Sequence, residues 1–299
     1  CGIGTVRVRD CSAGLTMSGK VAVVTGSNKG IGYAVVRNLC SSFKGTVYLT
    51  SRSVERGQNA VEDLKKEGYQ PMFHQLDIDD ENSVKAFCSY LKDKYGGLDC
   101  LVNNAGIAFK MASTEPISVQ ARETVKTNYF GTLRVCKILF PLLREHARVV
   151  NVSSVCGYLQ NIPGEDLRKK LSSPSLTEAE LTSLMEDFVK AAEEGKLEEK
   201  GWPTSSYNVS KVGVSALTRI QQKEFDKHPE KDIIINHVHP GYVDTDMTSH
   251  KGPLTIEEGA ISPTYAALLP PNVKTPKGDY LWHDKQIVDW VEGPLPSQY

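Results

Sequence analysis

The stretch Thr25-Gly26-Ser27-Asn28-Lys29-Gly30-Ile31-Gly32 follows the apolar run Val21-Ala22-Val23-Val24 without a break, and Tyr33, Val35, Val36 and Leu39 continue it at helical spacing. It therefore reads as strand, glycine-rich turn and helix, with the turn in the pattern G-x-x-x-G-x-G. Glycines allow positive φ and a close approach of backbone to a ligand, and the first turn of a helix offers unpaired N–H groups and a partial positive charge. Such a turn is suited to a pyrophosphate. Three glycines in eight residues also occur in plain turns, so it is the position between strand and helix that gives the motif its weight.

Outward from this turn the same alternation repeats. Thr46-Val47-Tyr48-Leu49-Thr50, Met72-Phe73-His74-Gln75-Leu76, Leu101-Val102, Val149-Val150-Asn151-Val152 and Ile233-Ile234-Ile235 are strand-like, and Glu55 to Lys66 and Glu81 to Tyr95 are helix-like. Strands apolar on both faces belong to a parallel sheet covered on both sides. The expected fold class is α/β, a doubly wound, mostly parallel sheet of Rossmann type with helices on both faces. No internal repeat or low-complexity tract interrupts it.

The totals agree with that class. The chain has 299 residues, 40% hydrophobic and 24% charged, with a formal net charge of −1. A near-neutral balance provides no field to attract nucleic acid or anionic lipid, and no run reaches the length of a membrane span. The seven cysteines are odd in number, irregularly spaced and without a C-x-x-C, which argues against a disulfide framework or a zinc site. Reduced thiols in a cytoplasmic protein are the simpler reading. The seven histidines show no H-x-x-x-H spacing, so no metal is expected.

Two segments depart from the rhythm. Residues 160–202 carry many charges and no strand pattern, yet Leu181, Leu184, Met185, Phe188, Val189 and Ala192 recur at helical spacing. Thr177 and Glu180 form a capping box in front of them. This predicts a helical insertion lying on the body of the domain, with a disordered charged loop as the alternative. At the other extreme, residues 1–17 contain Arg7 and Arg9 but no apolar stretch of signal-peptide length. They are expected to be a disordered leader, an artefact of translation, with Met17 as the natural start and one domain over 18–299.

The second strand ends in Thr50-Ser51-Arg52-Ser53. In a dinucleotide fold an acid here takes the 2′-hydroxyl of NAD, and a base accommodates the 2′-phosphate of NADP. Arg52, with Lys29 nearby in the turn, points to NADPH, since arginine forms charge-assisted bonds to phosphate. Two ordinary surface cations are the bland alternative. Asp77, beyond the third strand, serves equally well as an adenine contact or as a turn cap.

Carbonyl chemistry needs an acid, and Tyr207-Asn208-Val209-Ser210-Lys211 places a phenol and an ammonium on one helix face. An ammonium nearby would lower the phenol pKa, although a lone Y-x-x-x-K is weak and can be a solvent-facing pair. Asn151-Val152-Ser153-Ser154 closes the fifth strand, at the sheet edge where ligands of such folds bind. Either serine could donate to a substrate oxygen; Ser154 is favoured, with turn serines as the alternative. Asn103-Asn104-Ala105-Gly106 ends the fourth strand with residues small enough for backbone to pass close to a cofactor. Asn128 falls inside a helix pattern, where asparagine is poor unless partnered; an exposed position is the alternative. Cys156 reads as a buried, inert thiol.

From Lys20 to about Tyr265 the sequence resembles the short-chain dehydrogenase/reductase family. The matching pieces are Thr25-Gly26 with Gly30 and Gly32, Asn103 to Gly106, Asn128, Val152-Ser153-Ser154, Tyr207 with Lys211, and Pro240-Gly241. The resemblance implies a catalytic set of Asn128, Ser154, Tyr207 and Lys211. In it Tyr207 protonates the substrate oxygen, Ser154 orients it, Lys211 holds the nicotinamide ribose and Asn128 anchors a relay water. It also implies a cofactor site of Gly26, Asn28, Lys29, Gly30, Ile31, Gly32, Arg52, Asp77, Asn104, Ala105, Gly106, Tyr207, Lys211, Pro240, Gly241, Val243 and Thr245.

Asn28 to Gly32, Phe73 to Asp80, Tyr95 to Asp99, Gly201-Trp202-Pro203 and Ala267 to Pro271 are similar to the cytosolic NADPH-dependent carbonyl reductases. That likeness implies reduction of quinones, aldehydes and ketones, prostaglandins or steroids among the candidates, by a monomer whose helical insertion covers the face other relatives use to assemble. The alternatives are a hydroxysteroid or prostaglandin dehydrogenase and a non-catalytic NADPH-binding regulator. His239 departs from the pattern, since those vertebrate enzymes carry cysteine there, which puts any handling of glutathione conjugates in doubt. Trp202 and Tyr242 read as walls for a flat apolar substrate or, equally, as ordinary packing.

Overall fold

The computed structural model describes residues 19–110 and 112–296; the leader and Met17 lie outside them. The first half alternates strictly: β1 (Lys20–Val24), α1 (Gly30–Ser42), β2 (Gly45–Ser51), α2 (Val54–Lys66), β3 (Met72–Gln75), α3 (Glu81–Tyr95) and β4 (Leu98–Asn103). Next come α4 (Ile117–Val125), a π-helical turn over Lys126–Gly131, α5 (Thr132–Leu139) and β5 (Leu143–Val152). After β5 lie α6 (Glu165–Ser172), α7 (Glu178–Glu193) and α8 (Ser206–Phe225). β6 (Ile234–Val238), α9 (Ile256–Gly259), α10 (Ile261–Ala267), β7 (Tyr280–Leu281) and β8 (Ile287–Val288) complete the order.

The strands form one eight-stranded sheet in the order β3-β2-β1-β4-β5-β6-β7-β8. All pairs are parallel except β7 with β8. The chain reverses its direction of winding between β1 and β4, so the loops after these strands open a crevice at their carboxyl ends.

Side chains alternate across the pleat and explain the two covered faces. Ala22, Val24, Val102, Val150 and Val238 pack with Val35, Leu39, Val61 and Leu64 of α1 and α2. Val21, Val23, Leu101, Val149 and Ile235 face the other way, onto Phe87 and Leu91 of α3 and Val135 and Leu139 of α5. The expected fold class is the one observed.

The insertion is helical as expected. Thr177 and Glu180 form the reciprocal capping box at the start of α7. Leu181, Met185, Phe188, Ala191 and Ala192 are buried on that helix. They form one core with Val125 of α4 and Val209, Val212 and Ala216 of α8. A Cβ on Gly213 would come within 2.7 Å of Met185 Sδ, so glycine is what lets α7 lie this close to α8. Trp202 belongs to the same core.

Candidate active site

Gly26 and Gly30 stand at φ +59° and +61°, and Gly32 opens the first turn of α1. A Cβ on Gly26 would meet Ala105 at 2.8 Å, and one on Gly32 would meet Asn104 Nδ2 at 2.4 Å. The loops after β1 and β4 therefore touch through backbone and small side chains. Asn104 fixes the contact: its Nδ2 donates to the carbonyls of Thr25 and Gly26 at 3.0 and 3.1 Å. Thr25 Oγ1 accepts from the amides of Asn104 and Ala105, both at 3.0 Å.

Beside this turn lies a cleft of about 670 Å³, within the range that holds a small molecule. Gly26, Asn28, Lys29, Gly30, Ile31, Arg52, Asp77, Asn104, Ala105, Gly106 and Thr245 line it, all of them expected from the sequence. The residues fit an extended dinucleotide: a glycine turn at the N-terminus of a 13-residue helix for a pyrophosphate, and cations at the far end for a phosphate. No side-chain partner holds the guanidinium of Arg52 or Arg56 among the described residues. Lys29 is engaged, its Nζ 2.5 Å from Asp246 Oδ2. Asp77 caps a turn, its Oδ1 accepting from Asp79 N at 3.0 Å, and still lines the cleft.

Pro240 and Val243 lie buried behind the cleft rather than in its lining. Val243 is 1% exposed, and its side chain packs at Gly259 and Ile31. Gly241, at φ +92°, makes the bend that sends the chain across the cleft as the segment Asp244 to His250.

The chemistry-bearing residues gather where β5 ends. Ser154 caps a short 3-10 turn over Val155–Gly157, and its Oγ accepts from Cys156 N at 3.2 Å. That bond uses an oxygen lone pair and leaves the hydroxyl proton available. Ser153 points elsewhere, bonding Ser215 Oγ at 2.8 Å and the Lys211 carbonyl at 3.2 Å, so of the two serines Ser154 is the available one.

Tyr207 and Lys211 sit one turn apart at the start of α8. Lys211 Nζ stands 5.7 Å from the centre of the Tyr207 ring and donates to the Val152 carbonyl at 2.8 Å. Burial pushes this ammonium down to about 8. The phenol moves opposite to expectation: burial raises it well above its ordinary value, the Cys156 thiol adds to the rise, and the Ser154 hydroxyl opposes it. Lys211 does not offset the burial, because it lies over the ring face and is bonded to a carbonyl.

Asn128 is 1% exposed, within the π-helical turn. Its Oδ1 accepts from Ile107 N at 2.8 Å, and its Nδ2 donates to the Ile107 carbonyl at 2.9 Å and to Ser210 Oγ at 3.0 Å. It thereby fastens the loop after β4 to α8, one residue from Lys211. Cys156 is half-buried, with its thiol pushed up by burial, in keeping with an unreactive group.

Trp202 is corrected by the structure. It is 2% exposed, with Nε1 donating to Asp187 at 3.1 Å and its ring edge-on to Phe188 at 5.5 Å. It anchors the insertion and forms no substrate wall. Tyr242 is 39% exposed and outside the cleft lining. Met247, which the sequence did not single out, reaches Tyr207 instead, its sulfur 3.8 Å from the hydroxyl. Arg56 and Lys110 also line the cleft unforeseen; Arg56 stands four residues after Arg52, in the first turn of α2, a nearness in sequence that could have pointed to it.

The short chain dehydrogenase family model matches residues 20–165 and 195–253 and skips 166–194, where α6 and α7 lie. Carbonyl reductase 3 (NADPH) of Mus musculus is 48% identical over 91% of this chain and 98% of its own. Carbonyl reductase 1 (NADPH) of Homo sapiens is 48% identical over 90% of this chain and 98% of its own. Salutaridine reductase of Papaver somniferum superposes with a TM-score of 0.78 at 33% identity, covering 87% of this chain and 99% of that one. The chain belongs to the short-chain dehydrogenase family.

Proposed function

We propose that this protein reduces carbonyl compounds, among them quinones, aldehydes and ketones, to alcohols with NADPH, with Tyr207 as the proton donor. The observation that carries this reading is the convergence of Ser154, Tyr207 and Lys211 at the end of β5, with Lys211 Nζ near Gly106 of the cleft that the glycine turn, Arg52 and Arg56 line. The curated relatives, named as NADPH carbonyl reductases, support it.

The glycine turn with Arg52 and Arg56 would hold NADPH along the cleft, and the cofactor would supply the hydride for the carbonyl carbon. Ser154 donates a hydrogen bond from its hydroxyl to the carbonyl oxygen and so fixes its place. Tyr207 transfers its phenolic proton to that oxygen as negative charge develops, giving the alcohol and leaving phenolate. A reduction needs the phenol protonated beforehand, and a tyrosine at or above its ordinary value is so at neutral pH. Lys211, bonded to the Val152 carbonyl beside the ring, would hold the nicotinamide ribose. Asn128 keeps the loop at Gly106 and Ile107 against α8. Gly106 permits this proximity: a Cβ there would stand 3.1 Å from Asn128 Oδ1 and 3.7 Å from Lys211 Nζ. Arg52 and Arg56 select the 2′-phosphate.

The protein acts as a cytoplasmic monomer. Support for the monomer comes from α7, which covers α4 and α8 with Leu181, Met185 and Phe188. The five described cysteines are all free thiols, as suits a reducing compartment. No helix among the described residues is long and apolar enough to cross a membrane.

Loss of absorbance at 340 nm tests the activity, with NADPH and a panel of a quinone, an aromatic aldehyde, a prostaglandin and a steroid ketone. Broad turnover is expected. Turnover of a single steroid or prostaglandin would make the protein a dedicated dehydrogenase, and silence with NADPH bound would make it a regulator.

A further inference from the structure

β5 and β6 end side by side, with Val152 opposite Val238. Ser153 N donates to the Val238 carbonyl at 2.9 Å, and His239 N donates to the Leu281 carbonyl at 2.8 Å. Beyond these bonds the two chains diverge, one into the turn that carries Ser154 and the other into Pro240-Gly241 and the segment over the cleft. One atom joins them again. His239 Nδ1 accepts from Val155 N at 3.0 Å and from Gly241 N at 3.4 Å.

We propose that His239 is a positioning residue: through Nδ1 it ties the Ser154 turn to the Pro240-Gly241 turn, and so holds the Ser154 hydroxyl at a fixed distance from the cofactor cleft. The proposal rests on the reading of Ser154 as the group that orients the substrate oxygen.

Two peptide N–H groups can share Nδ1 only if it carries a lone pair, so the ring is neutral with its proton on Nε2. The surroundings enforce that state. The ring is 2% exposed and lies 4.3 Å from the Trp282 ring, centre to centre. Burial, with His283 beside it adding to the effect, pushes its pKa down to about 3. The lone pair thus persists at neutral pH.

The Ser154 turn is held on its other side too. Tyr280 OH donates to the Ser154 carbonyl at 2.7 Å, and Cys156 N donates to Ser154 Oγ. The carbonyl of Ser154, the amide that follows it and the hydroxyl oxygen each have one partner. The hydroxyl proton lies on the side of Tyr207, where the substrate oxygen would be received. Such restraint matters for rate, because a displacement of about 1 Å at a reacting group costs on the order of 100-fold.

The tie can be cut from either end. His239→Leu removes the acceptor. Val155→Pro removes the N–H, at the first position of a 3-10 turn that proline tolerates, after a residue whose φ −172° and ψ 164° suit a following proline. His239→Asn restores an acceptor close to where Nδ1 stood. The assay is kcat for a ketone at 340 nm, with NADPH binding followed separately by its fluorescence, and Ser154→Ala as the reference.

His239→Leu and Val155→Pro are each expected to lower kcat about 10- to 100-fold with NADPH still bound. The two together should be no slower than either alone, and His239→Asn should recover most of the parent rate. Parent-like kcat in Val155→Pro or His239→Leu, additive losses in the double variant, or an Asn variant as slow as Leu would overturn the proposal. Should His239→Leu not fold, Val155→Pro and His239→Asn decide it by the same criteria. A slow Ser154→Ala beside a fast His239→Leu removes the positioning role alone; a fast Ser154→Ala removes the Ser154 reading and this proposal with it.

Discussion

Replacing Arg52 by serine isolates the recognition of the 2′-phosphate. Arg52 is exposed at the rim of the cleft, one residue beyond β2, and its guanidinium holds no partner among the described residues. Its loss breaks nothing in the fold, and a surface change of this kind moves stability by no more than about 0.5 kcal/mol. In the complex one charge-assisted hydrogen bond to phosphate is worth about 1.5–3 kcal/mol. At about 1.4 kcal/mol per tenfold, its removal should lower kcat/KM for NADPH by about 10- to 150-fold. NADH has no phosphate at that position, so its kcat/KM should hardly change. Initial rates at 340 nm with each cofactor give the ratio directly, and Arg52→Asp should carry the preference over to NADH. Parent-like NADPH preference in both variants would refute the reasoning and place the discrimination on Arg56 or Lys29.

The insertion is part of the core, so Phe188→Ala, at a position 0% exposed, should cost about 3–5 kcal/mol in urea unfolding; a loss under about 1 kcal/mol would mean that α7 is a loosely held surface element. Asp232 links β5 to the loop after α10: burial would raise its carboxyl, but Asn272 N, His146 and Arg148 outweigh that and bring it from 3.8 to about 2. A depressed carboxylate stabilises the fold fully above its unfolded value and loses that contribution as pH falls toward the folded one. The stability difference between parent and Asp232→Asn should therefore shrink by about 2 kcal/mol between pH 5 and pH 2 in denaturant titrations, and a constant difference would count against the pairing. Sedimentation should give a single species near 33 kDa at micromolar concentration, whereas a concentration-dependent dimer would show that α7 does not seal the face of α4 and α8.

The sequence was most legible where a single physical pattern ruled. The apolar runs of β1, β2 and β4 face helices on both sides, and a run of that kind has few other interpretations. α7 announced itself through its capping box and stripe. α6 did not, because Leu167 and Leu171 are its only buried residues among lysine, arginine and glutamate. β5 begins at Leu143, earlier than its apolar run, since half-buried Arg144 and exposed Glu145 and His146 occupy its start. β6 continues past Ile235 to Val238 through Asn236 and His237, polar residues that hide a strand although they are fully buried. β7 and β8 have two residues each, too few for any period to show.

In the site, the glycine turn, Ser154, Tyr207 and Lys211 were readable as motifs. What they do to one another was less so. The lysine four residues after the tyrosine suggested a lowered phenol, yet burial decides the direction, and burial is a property of the packed fold. Trp202 could be read equally as wall or core until the insertion folded around it. His239 looked like a departure from a pattern, and only the fold brings two amides to its ring.

The most direct test of Tyr207 as the proton donor is Tyr207→Phe, assayed at 340 nm with the best carbonyl of the panel alongside NADPH fluorescence titration. The account predicts kcat lowered by about 100- to 10,000-fold with the NADPH dissociation constant near that of the parent. Turnover at the parent rate in that variant would contradict it.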